Sequence, residues 1–411
     1  MLTDDIPENT SRSSLKYAYI LLFTSLVCVV FSVFDGVRGT QYKPYFPFAL
    51  LRDLFTISGG FVSLLYIIRR KIKKSFLILF SLQVFICFYS FFTSYLVSDK
   101  FVFVRQLTLG GGIGFWSKLL SMLCIALMTY ACLFSLKEKA LKLIFKYYVY
   151  CAFIYSILTM VIYFIFPTIY HLLPRQWYGR ISIGYPTQDV YVLAVSIILV
   201  LQCDINKTMS LIISFANITC IMMQNTFTGY ILIVFIFGIY FFKFGIFSKL
   251  AISIFGLGIL FLVVYMYHHY DDFGNFGTLI KVKADALMMG GSDDPSFYLR
   301  LEQISLMMKS LFSDGLFIFF GYGGIGGFSV ESGLYSTLAF SGFLGTIIYL
   351  ATLLYFLVLA IKNKDFILFS IPVMYILSSI SISPIYLMST YWTFGFLLGY
   401  HCFIKRTYAI D

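Results

Sequence analysis

The feature that most constrains this chain is a series of about twelve apolar runs, most of them long enough to cross a bilayer. They lie near residues 17–34, 51–68, 76–97, 117–136, 143–166, 190–203, 209–223, 230–242, 250–267, 334–361, 366–381 and 386–403. Of the 411 residues, 60% are hydrophobic and only 12% are charged, which is too apolar for a soluble domain. We therefore predict an all-α, polytopic membrane protein with about 12 transmembrane helices, in which residues 1–411 form a single transmembrane domain.

The basic residues predict the orientation of these spans. If the N-terminus lies in the cytoplasm, 18 of the 30 Lys and Arg residues and 7 of the 19 acids fall on the cytoplasmic side, so that side carries the whole net charge of +11. Such a bias is what the positive-inside rule expects of a membrane protein, and nucleic acid is not needed as a partner to explain it. We predict a multi-pass protein of the bacterial inner membrane, with both ends in the cytoplasm.

The polar residues concentrate on the opposite, periplasmic side. Four loops of substance are predicted there, at residues 35–50, 98–116, 167–189 and 268–332. The cytoplasmic connections are too short to fold into a nucleotide-binding domain. We therefore expect binding or chemistry on the periplasmic face.

The largest loop carries a predicted amphipathic helix that begins after Asp294-Pro295, a favourable start for a helix. Its predicted apolar face comprises Phe297, Leu301, Ile304, Met308 and Leu311. Arg300, Gln303 and Ser310 are predicted to lie away from that face. Arg300 then has two interpretations, a solvated arginine at the membrane surface or an anion-binding group whose planar fork suits a diphosphate.

The loop at 167–189 places Arg175 and Arg180 among aromatic residues that include Trp177 and Tyr178. Two arginines beside stacking aromatics suit a phosphorylated ligand that carries sugars. The alternative is an interfacial belt in which aromatic side chains anchor helix ends and arginine meets lipid headgroups.

A glycine-rich run at 321–327 contains a literal G-x-G-x-x-G pattern. A dinucleotide fingerprint requires a preceding strand in a βαβ unit, which this chain does not predict. We expect instead a re-entrant or broken segment that lines a cavity.

Glu331 follows the glycine run and precedes the tenth apolar run. An acidic residue at that position complements the helix dipole, which is one interpretation. The other is a general base at the membrane edge beside Ser329, Ser332 and Tyr335. We find no metal-binding motif in the sequence, so we expect neither a metal ion nor another cofactor.

The stretches PRQWYGRISIGYPTQD (174–189), SFYLRLEQ (296–303) and ESGLYSTLAFSGFLG (331–345) resemble the O-antigen polymerase and ligase superfamily, specifically its Wzy-type polymerases. The resemblance implies a metal-independent glycosyltransferase that uses donors linked to undecaprenyl diphosphate. It implies that the arginines of the third and fifth periplasmic loops are functional, which corresponds here to Arg175, Arg180 and Arg300. Together with the residues described above, this leads us to expect catalytic roles for Arg300 and Glu331, and substrate binding by Arg175, Arg180, Tyr178 and Tyr335. Pro186, Tyr191 and Leu311 stand where some members have glycine.

In that family, a polymerase transfers the growing glycan from undecaprenyl diphosphate to the non-reducing end of a lipid-linked repeat unit. The expected partners are lipid-linked oligosaccharide repeat units and membrane lipids, with a chain-length regulator protein as a further candidate. Two alternatives stay open: an O-antigen ligase that transfers glycan to the lipid A core, and a lipid-linked oligosaccharide flippase or other transporter. Almost no ionisable residue is predicted in mid-span, which disfavours transport.

Overall fold

The computed structural model describes residues 12–37, 46–68, 70, 72–97, 109–172, 179–243, 246–288, 295–313, 315–324, 330, 332–380 and 388–404. In that part of the chain, every regular element is a helix, which confirms the predicted all-α class. The α-helices are α1 Arg12–Phe34, α2 Phe46–Ile68, α3 Lys74–Val97, α4 Leu109–Phe164, α5 Pro167–Leu172, α6 Pro186–Val200, α7 Lys207–Met223, α8 Phe227–Lys243, α9 Ile246–His268, α10 Gly274–Met288, α11 Pro295–Leu311, α12 Gly315–Phe320, α13 Gly333–Asn363, α14 Phe366–Ser378 and α15 Met388–Tyr400.

Several of these helices are long and apolar enough to cross a membrane, which indicates a membrane-embedded protein. Within the described residues, five segments meet both criteria: Lys16–Val37, Leu50–Ile68, Lys74–Leu96, Trp116–Phe164 and Gly333–Asn363. Helices α7 and α8 have 17 residues each. At a rise of about 1.5 Å per residue, each is roughly 26 Å long, just under the thickness of a hydrocarbon core. The total of twelve spans therefore stays a prediction.

Helix α4 consists of two antiparallel halves. Its 56 residues are interrupted at Lys137, whose backbone angles (φ 47°, ψ −130°) are not helical. Helix α15 runs parallel to the first half of α4, since Gly395 packs against residues 122–125 and Gly399 against residues 126–130. It runs antiparallel to the second half, since Trp392 contacts Tyr148 and Phe396 contacts Phe145. The charged connection around Lys137 is therefore a turn between two helices, as the two predicted runs on either side of it require.

Helix α15 lies at the centre of the bundle, and each of its residues is buried. A helix that is apolar on all sides is expected to be enclosed by other helices. Glycine allows the closest approach, because a Cβ atom on Gly399 would lie 2.8 Å from the Ala126 carbonyl oxygen. The main neighbour of α15 is α4.

Helix starts follow local chemistry. Asp365 caps α14 by accepting a hydrogen bond from Leu368 N (2.8 Å), and the Asn206 side chain caps α7. Helix α6 begins at Pro186 and carries Asp189 in its first turn, where a negative charge complements the helix dipole.

The glycine-rich run packs against an interruption in α13. Gly342 (φ 60°) breaks α13, and Gly321 (φ 70°) lies directly against that break, where a Cβ atom would come within 2.6 Å of Ser341 N. Gly323 (φ 63°) lies against α3, and the next amide, Gly324 N, donates to Ser94 Oγ (2.6 Å). The break lies at Gly342, outside the run for which a broken segment is predicted, and the described part of that run, 321–324, is buried beside it.

Candidate functional site

The polar groups that could form a site gather at one end of the bundle, which we call the Asp35 end. Asp35 lies in a 3₁₀ turn, Asp35–Val37, that follows α1. Its Oδ2 accepts a hydrogen bond from Met388 N (2.9 Å), the first residue of α15. The start of α6 lies there too, because Gly36 packs against Asp189.

A buried ion pair joins the first two helices at this end. Arg52 Nη1 donates to Asp35 Oδ1 (2.8 Å), and the two side chains are 6% and 0% exposed. Arg52 also contacts Asp53 Oδ1 at 2.7 Å, a carboxylate that is 36% exposed. Because charges are costly to bury, an arginine and a carboxylate so enclosed must compensate each other. The pair fixes the start of α2 against the 3₁₀ turn.

A second buried carboxylate, Asp189, lies next to the ion pair. Its Oδ2 accepts hydrogen bonds from Tyr155 Oη (2.5 Å) and Ser182 Oγ (2.8 Å). Ser182 Oγ in turn accepts from Gly184 N (3.1 Å). The space is tight, since a Cβ atom on Gly184 would lie 2.8 Å from Asp189 Oδ2 and 2.9 Å from the Gly36 carbonyl carbon. Asp189 therefore holds the segment 179–185 against the second half of α4.

That segment carries Arg180, which is half-buried. The Arg180 carbonyl accepts a hydrogen bond from Tyr170 Oη (3.1 Å), and Ile181 N donates to Met223 O (2.9 Å). Burial removes the Tyr170 hydroxyl from water and raises its pKa, so the phenol stays protonated and remains a donor. The backbone on both sides of the Arg180 side chain is thereby fixed.

Asn225 connects helix α10, in the predicted loop 268–332, to the segment that carries Arg180. Asn225 Nδ2 donates to the carbonyl oxygens of Gly179 (3.3 Å) and Phe276 (3.1 Å), and Lys283 Nζ donates to the Asn225 carbonyl. Asn225 is fully buried and has a positive φ of 45°, which asparagine tolerates better than most residues. Helix α10 is thus joined to the turn between α7 and α8 and to the Arg180 segment.

The packed face of α11 agrees with the predicted one only in part. Leu311 is buried, and Ile304 and Met308 pack against the same cluster, as predicted. Gln303 and Met307 are buried as well and Arg300 is half-buried, whereas the predicted core residue Leu301 is 49% exposed. The prediction that Arg300 and Gln303 lie away from the packed face is therefore wrong. Apolar residues occur on both sides of this helix, so periodicity alone does not distinguish the side that packs against protein.

Arg300 lies one turn from the cluster that joins α11 to α12 and α13. The core of that cluster is formed by Met307, Leu311, Phe317, Tyr322, Val330, Leu338 and Ala339. Tyr335 is half-buried and packs against the same cluster. Among the described residues, the buried Nε atom of Arg300 has no hydrogen-bond partner. Buried polar atoms are usually paired, so this Nε is suited to an incoming acceptor.

The structure brings together some of the predicted residues. Tyr335 packs against the cluster that includes the later turns of α11, the helix that carries Arg300, while Arg180 belongs to the region fixed by Tyr170 and Asn225. Glu331, Arg175 and Tyr178 lie outside the described residues. The neighbours of Glu331 are described, and Val330 and Ser332 are both buried.

Sequence reasoning missed the buried polar residues Asp35, Arg52, Tyr155 and Asp189. Charged residues at the ends of apolar runs were the available signal, because an ionisable group so placed needs a partner. Nothing in the sequence distinguishes Tyr155 from the other tyrosines. In the described part of the chain, no cluster of three or more His, Cys, Asp or Glu side chains is arranged to hold a metal ion.

Comparison with known proteins adds no family: no family model matches the chain, and no curated protein matches it.

Proposed function

We propose that the chain is an O-antigen polymerase. It transfers a growing glycan from undecaprenyl diphosphate to the non-reducing end of a lipid-linked repeat unit, on the periplasmic side of the bacterial inner membrane. The observation that carries the proposal is Arg300, whose buried Nε lacks a hydrogen-bond partner among the described residues. A guanidinium placed in this way suits a diphosphate, because its planar fork binds two oxygens at once.

The distribution of charge supports the orientation. The turn inside α4 lies at the end of the bundle opposite Asp35, and it carries Lys137 and Lys142, with Lys73 nearby. Excess basic charge favours the cytoplasmic side. Arg180 and Arg300 belong to loops predicted to be periplasmic, and Tyr335 stands at the predicted periplasmic end of the run at 334–361, the side on which a donor linked to a lipid is presented.

The proposed reaction needs no nucleotide, because the glycan arrives already activated on its carrier. Glu331 takes the proton from the acceptor hydroxyl, and the resulting oxygen nucleophile forms the new glycosidic bond with inversion. The bond from the sugar to the carrier diphosphate breaks, and the diphosphate leaves with the electron pair. Arg300, together with Arg175 or Arg180, stabilises the negative charge that develops on the leaving group.

The proposal is tested with purified protein reconstituted in liposomes that contain lipid-linked repeat units. Arg300→Ala is expected to lower the rate on the order of 10²-fold or more, since a preorganised charge donor is lost. Lys309→Ala is the matched control, because Lys309 is an exposed cation on the same helix. Equal polymerisation by the Arg300→Ala and Lys309→Ala proteins, at equal insertion, contradicts the proposal.

A further inference from the structure

The backbone around Arg180 is held by groups from three helices and from the turn between α7 and α8. Tyr170 of α5 binds its carbonyl, Met223 at the end of α7 pairs with Ile181, and Asn225 binds the Gly179 carbonyl. The fourth contact is Asp189 of α6, which accepts the Ser182 hydroxyl. The backbone of this short segment is therefore anchored at four points.

Asp189 is the only charged group in that set of four anchors. It is 1% exposed, and its hydrogen-bond donors Tyr155 and Ser182 are 1% and 0% exposed. Its carboxylate also lies against Gly36, beside the buried Asp35–Arg52 pair. A buried carboxylate makes a stronger hydrogen bond than a neutral acceptor would, because the charge is held in a medium of low dielectric constant.

We propose that Asp189 is a positioning residue that acts through Ser182. It fixes the backbone at 180–184 and thereby directs the Arg180 side chain toward the diphosphate of the donor. The part that concerns the donor depends on the proposed function, whereas the fixing of the segment does not. Asp189 itself contacts no substrate in this proposal.

The first test measures amide hydrogen exchange of the full-length protein in lipid nanodiscs. Ser182→Ala removes the hydroxyl that links the segment to Asp189 and leaves the carboxylate bonded to Tyr155. Exchange of the amides at 181–183 is expected to rise roughly ten- to hundredfold, because a hydrogen bond to a charged group is lost. The Gly184 amide is left out, because it loses its own acceptor, Ser182 Oγ, in this variant. The matched control is Ser156→Ala, another fully buried serine, whose hydroxyl bonds Asn217 Oδ1 at 2.8 Å.

Two exchange results decide the positioning role. A rise at 181–183 that is specific to Ser182→Ala supports it. No rise, or the same rise in Ser156→Ala, overturns it. Asp189→Asn is expected to give the larger rise, and Asp204→Asn serves as its control, because Asp204 is an exposed acid beyond the cytoplasmic end of α6 that pairs with Lys142.

The second test is a double-mutant cycle on binding of undecaprenyl diphosphate. If Ser182 acts through Arg180, the double variant Ser182→Ala/Arg180→Ala binds no more weakly than Arg180→Ala alone. Additive losses overturn the coupling to Arg180. Absence of binding by the unmodified protein contradicts the proposed function, while the exchange result still decides the positioning role.

Discussion

Arg52→Met tests the buried ion pair at the Asp35 end. Methionine keeps much of the volume of arginine but leaves Asp35 without its charge partner. The Asp35 side chain is fully buried, so water cannot replace the guanidinium. Loss of one partner from a buried pair typically costs about 3–5 kcal/mol. Asp53 loses the same partner but is 36% exposed, so its contribution is the smaller one, about 0–1 kcal/mol.

The free energy of unfolding can be measured in mixed micelles by tryptophan fluorescence. Trp392 lies in α15 and is 4% exposed, which makes it a reporter of bundle unfolding. The double variant Arg52→Met/Asp35→Asn removes the buried charge as well, and it is expected to recover roughly half of the loss or more. The side-chain amide oxygen of the asparagine introduced at position 35 can still accept the hydrogen bond from Met388 N.

Lys142→Met is the matched control for the same assay. Lys142 pairs with Asp204 at 2.8 Å, but both side chains are exposed, so no measurable change in stability is expected. If Arg52→Met and Lys142→Met shift the unfolding midpoint equally, the inference that the Asp35–Arg52 pair holds this end of the bundle together is refuted.

Two further predictions concern packing. Gly342→Ala is expected to destabilise the protein by about 2–5 kcal/mol, because φ at Gly342 is 60° and the added methyl group overlaps Phe319 O. The control is Gly238→Ala, in an open helical position of α8, which is expected to be neutral or mildly stabilising. Both variants are measured by thermal unfolding. In the same assay, Met307→Ala is expected to cost about 2–5 kcal/mol because Met307 is buried, and Leu301→Ala less than about 0.5 kcal/mol because Leu301 is exposed. A larger cost for Leu301→Ala than for Met307→Ala would instead support the apolar face predicted from the sequence.

The sequence predicts the helices well because long apolar runs demand them. The charged connection at Lys137 is a turn, as the two runs that flank it require. The break in α13 is less accessible to sequence reasoning, since Gly342 lies inside an apolar run and its positive φ depends on the contact with Gly321. The number of spans is not decided by helix length alone, because several helices have fewer than 18 residues.

The candidate site could be predicted only in part. Arg180 is predicted from its charge and its aromatic neighbours, Arg300 from its charge and its place on a predicted amphipathic helix, and the structure leaves both half-buried. The face of α11 could not be predicted from periodicity alone, because apolar residues such as Leu301 lie on its exposed side as well. The role of Asp189 depends on contacts with Tyr155 and Ser182, which only the fold brings together.

The most direct test of the proposed polymerase is the surface glycan profile of a deletion strain, run on a gel beside its parent. We predict a single repeat unit attached to the lipid A core, with the long ladder absent. Complementation with the Lys309→Ala protein should restore the ladder, and the Arg300→Ala protein should not. A bare core with long chains left on the carrier lipid would contradict the account in favour of a ligase. A bare core with single units retained on the cytoplasmic side would contradict it in favour of a flippase.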